Sequence, residues 1–332
     1  MATLTLDEIY QLAYQSLRQA GADDANAAAV ATTVTHAERD GSASHGLFRI
    51  PGYLKSLLSG KVNGNADPQP EHITPVVIRC HGNNGYAPLA LQRAIPALAE
   101  AAKTYGIAAL TLTHSHHFAA LWPEVEALAE HDLMGFSCVS YKPVVAPAGG
   151  NEALFGTNPI AFAWPRPGRS PLVYDMATAA MAQGEVQIAA RDGHSVPLGT
   201  GLGPDGELTT DPQDILKGVL LPFGGHKGSA IAMMVELMAG PLVGESLSFE
   251  TDERDTPDGG PPQGGQFLLA VSPQVMGETD WAARAEGLFS RLEAMEGVRL
   301  PGQRRHTLRK DTGSRAVNDS LLADIRQLAP QV

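Results

Sequence analysis

The sequence predicts an α/β protein with a helical unit at its start, and three patterns carry that expectation. From residue 5 to residue 58 apolar side chains recur at helical spacing. From Val76 onward, short apolar or β-branched runs alternate with longer helical patterns, the signature of an α/β unit. Between them, residues 61–75 are rich in Gly, Asn and Pro with no period, which reads as a connection.

Taken in order, Thr5-x-x-Glu8 is a capping box, followed by Ile9, Leu12, Ala13, Leu17 and Ala20 until Gly21 stops the run. A second helix starts near Asp23 or Asp24, carries Ala27, Val30, Val34 and Ala37, and ends near Asp40-Gly41. A third, short helix spans 50–58. The α/β unit then predicts strands at 76–80, 107–112, 134–140, 160–164, 172–175 and 267–271. Helices are predicted at 88–106, 121–131, 184–191, 228–239 and 281–295. Residues 193–210 read as loop. The helix at 228–239, with Met233, Met234, Leu237 and Met238, reads as core rather than as a cofactor box. Residues 251–265, acidic and rich in Pro and Gly, read as a mobile surface loop. The domains expected are 1–75, rejoined by 280–332, and 76–279.

Chain length, 332 residues, allows two domains. A net charge of −12 argues against nucleic acid or an anionic membrane as partner, though a local basic pocket can still take an anionic ligand. Cys80 and Cys138 lie in apolar runs that read as buried strands, consistent with reduced thiols. The N-terminus shows no signal-peptide pattern, and the apolar run at 231–242 is broken by Glu236 and Pro241 and too short to span a bilayer. A cytoplasmic enzyme is the expectation.

Candidate chemistry gathers first at Ser44-His45-Gly46-Leu47-Phe48-Arg49. A hydroxyl, an imidazole and a guanidinium there offer a proton donor, a group to orient it and a fork for a carboxylate. Capping at a helix end is the competing explanation. No Gly-x-Gly-x-x-Gly opens a helix after a strand, since Gly199-Thr-Gly201-Leu-Gly203 lies in the loop segment, and there is no Walker motif. His114-Ser115-His116-His117-Phe118 follows a strand, where α/β proteins place ligands. No carboxylate or Cys at ligand spacing completes a metal site, so His117 is assigned to cofactor or substrate. Gly149-Gly150 and 154–159 form a Gly-punctuated loop whose Thr157 hydroxyl can meet a carboxylate. Asp175 ends a strand and can accept from a ribose hydroxyl. Lys227, in the Gly-rich turn 223–228, can meet a phosphate at a helix start. Arg304-Arg305 is either a second phosphate contact or a solvated basic face. A Ser-His-acid hydrolase is disfavoured, because adjacent Ser44 and His45 do not readily adopt nucleophile–base geometry and no Gly-x-Ser-x-Gly elbow exists.

In this order, SHGLFRIPGY, SHHFA, APAGG, LFGTNPIAFA, YDMAT and LPFGGHKG resemble the non-Rossmann malate/L-lactate dehydrogenase family over nearly the whole chain. Within it, HHFAALWP, GTNPIAFA, GEVQIAAR and LLPFGGHKGSA are most similar to the Δ1-piperideine-2-carboxylate/Δ1-pyrroline-2-carboxylate reductases. The resemblance implies a largely antiparallel mixed sheet in a non-Rossmann NADP-binding domain, a helical substrate domain, a homodimer, and NADPH-dependent reduction of cyclic imino acids to L-pipecolate and L-proline. It implies His45 as proton donor with Ser44 in its relay, and Arg49 and Thr157 at the substrate. It implies His117, Phe118, Ala119, Ala120, Leu121, Asp175, Met176, Ala177, His226 and Lys227 along the cofactor, with Arg304 and Arg305 near its 2′-phosphate. The relay's third member is an aspartate in that subgroup. The matching residue here is Glu185, one methylene longer.

The residues suit that chemistry. Reducing C=N needs a hydride at carbon and a proton at nitrogen, and imidazole delivers protons near neutral pH. An open-chain 2-oxo acid shares the carboxylate and the electrophilic carbon, so a malate- or lactate-type reductase is the runner-up. A catalytically silent dinucleotide-binding protein is the third reading.

Overall fold

The computed structural model describes residues 1–116, 119–256, 260–277 and 279–329. The chain opens with a short strand, β1 (Ala2–Leu4), and three helices, α1 (Leu6–Gln19), α2 (Asp24–Arg39) and α3 (Ile50–Leu58). Thr5 and Glu8 close the capping box: the Glu8 amide donates to the Thr5 hydroxyl at 3.2 Å and the Thr5 amide to Glu8 Oε2 at 2.8 Å. Asp23 caps α2 by accepting from the Asn26 amide at 2.8 Å. The stripe Ile9, Ala13 and Leu17 meets Ala27, Val30 and Val34 in one fully buried cluster, which also holds Ile50 and Leu54 of α3.

The α/β part is built on a seven-stranded sheet. Its strands in chain order are β2 (Pro70–Thr74), β3 (Val77–Tyr86), β4 (Ile107–His116), β5 (Met134–Val139), β6 (Ile160–Trp164), β7 (Leu172–Met176) and, much later, one at Gln263–Val271. Helix α4 (Ala87–Tyr105) crosses between β3 and β4, ending on Gly106 at φ +87°, and α5 (Trp122–Glu130) follows β4. Only β3 and β4 run parallel; the other neighbouring pairs are antiparallel, in the order β2-β3-β4-(263–271)-β5-β6-β7. The mixed, largely antiparallel sheet follows from inserting the distant strand between β4 and β5.

After β7 come α6 (Gln183–Asp192) and a small sheet of β8 (Gly201–Leu202), β9 (Leu208–Thr209) and β10 (Val219–Leu220), with α7 (Pro212–Lys217) between the last two. Then follow α8 (His226–Ala239), α9 (Ser248–Arg254), the central strand β11 (Gln263–Val271), α10 (Pro273–Met276) and α11 (Trp281–Glu293). Finally α12 (Gln303–Leu308), β12 (Arg315–Val317) and α13 (Asp319–Leu328) return to the first unit: β12 pairs with β1, and Leu322 and Ile325 enter its core.

Three sequence expectations are corrected. The connection 61–75 contains β2, an edge strand whose side chains are mostly exposed and so show no apolar alternation. Of the acidic stretch 251–265, the described residues 251–256 and 260–265 hold the end of α9 and the start of β11, and the Asp255 side chain is buried against Lys61 and Lys142, 2.7 Å from the latter; 257–259 lie outside the described residues. Met233, Met234 and Leu237 are not core. They are 52%, 40% and 55% exposed, because α8 buries its opposite face, Ala232, Val235 and Ala239. No helix among the described residues is long and apolar enough to cross a membrane.

Candidate active site

One cleft of about 590 Å³ lies where the helical unit meets the sheet's β6–β7 edge. It is lined by residues from both units, among them Ser44, His45, Arg49, Thr157, Asp175, Glu185, Arg304 and Arg305. Beyond Asp40, which caps α2, the chain turns through two 3₁₀ turns, Ala43–His45 and Leu47–Arg49. Glu38 sets that turn: the Leu47 amide donates to its Oε1 at 2.8 Å, and a Cβ on Gly46 would lie 2.0 Å from the same oxygen. Glycine at 46 is therefore needed for Glu38 to reach back, and burial raises the Glu38 carboxyl pKa. Within the turn Ser44 Oγ stands 3.1 Å from His45 Nδ1. The neighbouring side chains do meet, although this contact alone does not make a hydrolase's nucleophile–base pair. It uses Nδ1 and fixes the ring's rotation.

Arg49 closes the second turn, its guanidinium 5.4 Å above the Phe48 ring. Burial depresses its pKa, an effect the nearby Tyr141 and Tyr53 phenols oppose. Thr157 is held in place from behind. Asn158, at φ +40° and fully buried, donates to Glu236 Oε1 at 2.6 Å and to the Ala232 carbonyl at 3.1 Å. Glu236 in turn accepts from the Ser248 amide at 2.9 Å and from its hydroxyl. The Thr157 carbonyl accepts from the Thr178 amide at 2.9 Å. The apolar helix α8 thus carries a buried carboxylate whose work is to anchor the 156–158 loop.

Asp175 caps α5 across space: the Leu121 and Trp122 amides donate to its Oδ2 at 2.7 and 3.0 Å. Burial pushes its pKa up to about 6, against those amide bonds. Met176 and Ala177 line the cleft beside it, as do Ala119 and Ala120, while Leu121 is buried beneath. His117 and Phe118 lie outside the described residues. Arg305 is not on a solvated face: it donates to the Val173 carbonyl at 3.0 Å and stacks 5.0 Å from the Trp122 ring. Arg304 beside it is exposed toward the cleft. Glu185 sits exposed in the first turn of α6, at the cleft wall. His226 and Lys227 are exposed at the start of α8 and do not line the cleft. Their loop is pinned close by, through the Phe223 amide on the Thr178 carbonyl at 3.0 Å.

Sequence reasoning missed Tyr141, Trp122, Gln183 and Gly184, all of which line the cleft. Tyr141 had a usable signal, since it lies two residues beyond the end of β5; Gly184 had only its place in a helix's first turn.

The cleft's volume lies in the range of ligand pockets, roughly 300–1,000 Å³. Its run of small side chains, from Ala119 and Ala120 to Ala177, Ala179 and Ala180, leaves backbone open to an extended ligand, and Arg304 supplies a cation. The residues present fit a dinucleotide beside a small carboxylate. Among the described residues no cluster of His, Cys, Asp or Glu has the makings of a metal site.

The chain is similar to known proteins over nearly its whole length. A family model described as malate/L-lactate dehydrogenase matches residues 4–326. A Δ1-pyrroline-2-carboxylate reductase from Ancylobacter novellus is 44% identical, over 99% of this chain and 98% of its own. A Δ1-pyrroline-2-carboxylate/Δ1-piperideine-2-carboxylate reductase from Pseudomonas aeruginosa is also 44% identical, over 93% of each. The crystal structure of Δ1-piperideine-2-carboxylate reductase from Pseudomonas syringae superposes with a TM-score of 0.92 at 43% identity, covering 99% of this chain and 100% of the other.

Proposed function

The chain belongs to the malate/L-lactate dehydrogenase family of NAD(P)-dependent enzymes, and we propose that it reduces the C=N bond of cyclic imino acids with NADPH. Δ1-Piperideine-2-carboxylate would give L-pipecolate and Δ1-pyrroline-2-carboxylate L-proline. The observation that carries the reading is that the Ser44–His45 pair, Arg49, the end of β7 and Arg304 all line one cleft.

The dinucleotide, when bound, supplies the hydride. The chain's own residues do the rest. Arg49 pairs with the substrate carboxylate through its planar fork, assisted by Thr157, and so fixes the plane of the ring. His45 gives a proton to the ring nitrogen, with Ser44 on Nδ1 holding the imidazole in orientation. Glu185, in the first turn of α6 at the cleft wall, completes the relay. Met176, Ala177, Ala119 and Ala120 would hold the dinucleotide, with His226 and Lys227, at the start of α8, outside the cleft lining. Arg304 would meet the 2′-phosphate, while Arg305 braces β7 through Val173 and would support that contact.

The test follows NADPH and NADH oxidation at 340 nm with both cyclic imines, pyruvate and oxaloacetate. Fast NADPH oxidation with the imines and little with the oxo acids is expected. Turnover of oxo acids alone would make the protein an open-chain 2-oxo acid reductase.

We also infer a homodimer. Met233, Met234 and Leu237 form an exposed apolar stripe at helical spacing on α8, with Leu242 60% exposed just beyond it. Sedimentation should give twice the chain mass; a monomer at micromolar concentration would contradict this.

A further inference from the structure

We infer that Gly184 is a positioning residue for substrate recognition: the space left by its missing side chain is where the Arg49 guanidinium sits. The inference rests on the reading of Arg49 as the carboxylate clamp. A Cβ built on Gly184 would lie 2.7 Å from Arg49 Nη2, 3.4 Å from Arg49 Cζ and 3.3 Å from Ser44 Cβ. The first distance is closer than real Cβ contacts come. Nothing in the backbone asks for glycine here, because Gly184 lies inside α6 and outside the left-handed region. Alanine has the higher helix propensity, so glycine gains α6 nothing at this first-turn position. Glycine at this position is therefore of no benefit to α6 itself and is accounted for by what lies against it, the clamp and the serine of the Ser44–His45 pair.

The collision determines how the protein would respond to a side chain at 184. The clashing atom is the far end of a long side chain, not backbone, so the fold can accommodate a methyl group by letting the guanidinium swing away. Stability is then kept and the carboxylate contact is lost. The first turn of α6, through Gly184, therefore limits where the Arg49 fork can lie and hence where the substrate carboxylate is held.

The experiment compares Gly184→Ala, Arg49→Ala and the double variant with the wild-type enzyme, using NADPH and Δ1-piperideine-2-carboxylate. Gly184→Ala should raise the imine KM by about 10-fold or more, the scale of one charge-assisted hydrogen bond. It should leave the NADPH KM and Tm unchanged and alter kcat much less than KM. The double variant should be no worse than Arg49→Ala alone, because the clash has lost its partner. An unchanged imine KM in Gly184→Ala, with a raised one in Arg49→Ala, overturns the positioning role and leaves the clamp standing. An unchanged KM in Arg49→Ala overturns the clamp itself. Additive losses, or a lowered Tm that persists in the double variant, also overturn the role, since the methyl group would then be meeting something other than the guanidinium.

Discussion

Replacing His45 by alanine is expected to lower kcat by roughly 10²–10⁴-fold, the usual contribution of a positioned general acid. Hydride arrival at carbon leaves the ring nitrogen needing a proton, and the imidazole of His45 lies in the cleft with its rotation fixed by Ser44, 3.1 Å from Nδ1. Glutamine at 45 keeps a polar group of similar reach but cannot titrate near neutrality, so it should fail nearly as badly. Binding of NADPH, followed by fluorescence, should be unaffected in both variants. Near-normal turnover in either would remove His45 from the proton path.

The second large effect is on stability. Replacing Arg309 by alanine is expected to cost about 3–5 kcal/mol, the scale for removing one partner of a buried ion pair. Asp40 caps α2 with a fully buried side chain, and Arg309 reaches it from the C-terminal segment with Nη2 at 2.6 Å and Nε at 2.9 Å. The same guanidinium donates to Glu126 of α5 at 2.7 Å, and Arg39 holds the far side of Asp40 at 2.8 Å. Burial alone would raise the Asp40 pKa, but the hydrogen bonds from Arg309 and Arg39 outweigh it and the net shift is downward. A carboxyl depressed in the folded state stabilises above its unfolded pKa and loses that contribution as pH falls through the folded value. Wild-type protein should therefore lose stability on the acid side of about pH 4, the ordinary Asp range. In Arg309→Ala that acid-side slope should flatten. Urea midpoints measured across pH decide it; an unchanged midpoint at pH 7 would show that Asp40 is satisfied by Arg39 alone. The network joins α2, α5 and the C-terminal segment four residues before Ser44, so its loss should also loosen the active-site turn.

What could be read from sequence depended on whether the cause lay near in the chain. The Thr5–Glu8 box, the Asp23 cap and the Gly106 stop are local devices, and each appears where its residues stand. SHGLFR was recognisable as a motif, yet the reason for its shape is Glu38 passing Gly46, nine residues from its donor partner Leu47. The insertion of β11 between β4 and β5 leaves no periodic trace, so the antiparallel character of the sheet came through family resemblance and not through pattern. Helix α8 misleads for a different reason. Its apolar composition suggests core, but its exposed stripe and its one buried carboxylate, Glu236, divide the faces the other way. Asp175 was legible as a cleft residue because it ends a strand, but its second task, capping through Oδ2 a helix that begins 53 residues earlier, was not. Gly184 is invisible to any local rule, since its meaning lies in Arg49, far back in the chain.

The most direct measurement is a competition. The enzyme is given 4-deuterated NADPH with Δ1-piperideine-2-carboxylate, pyruvate and oxaloacetate together, and mass spectrometry identifies which product carries the label. Deuterium at C2 of L-pipecolate, with little in lactate or malate, is the predicted result. Label found chiefly in lactate or malate would contradict the account, leaving the cleft and its residues but assigning them to another reaction.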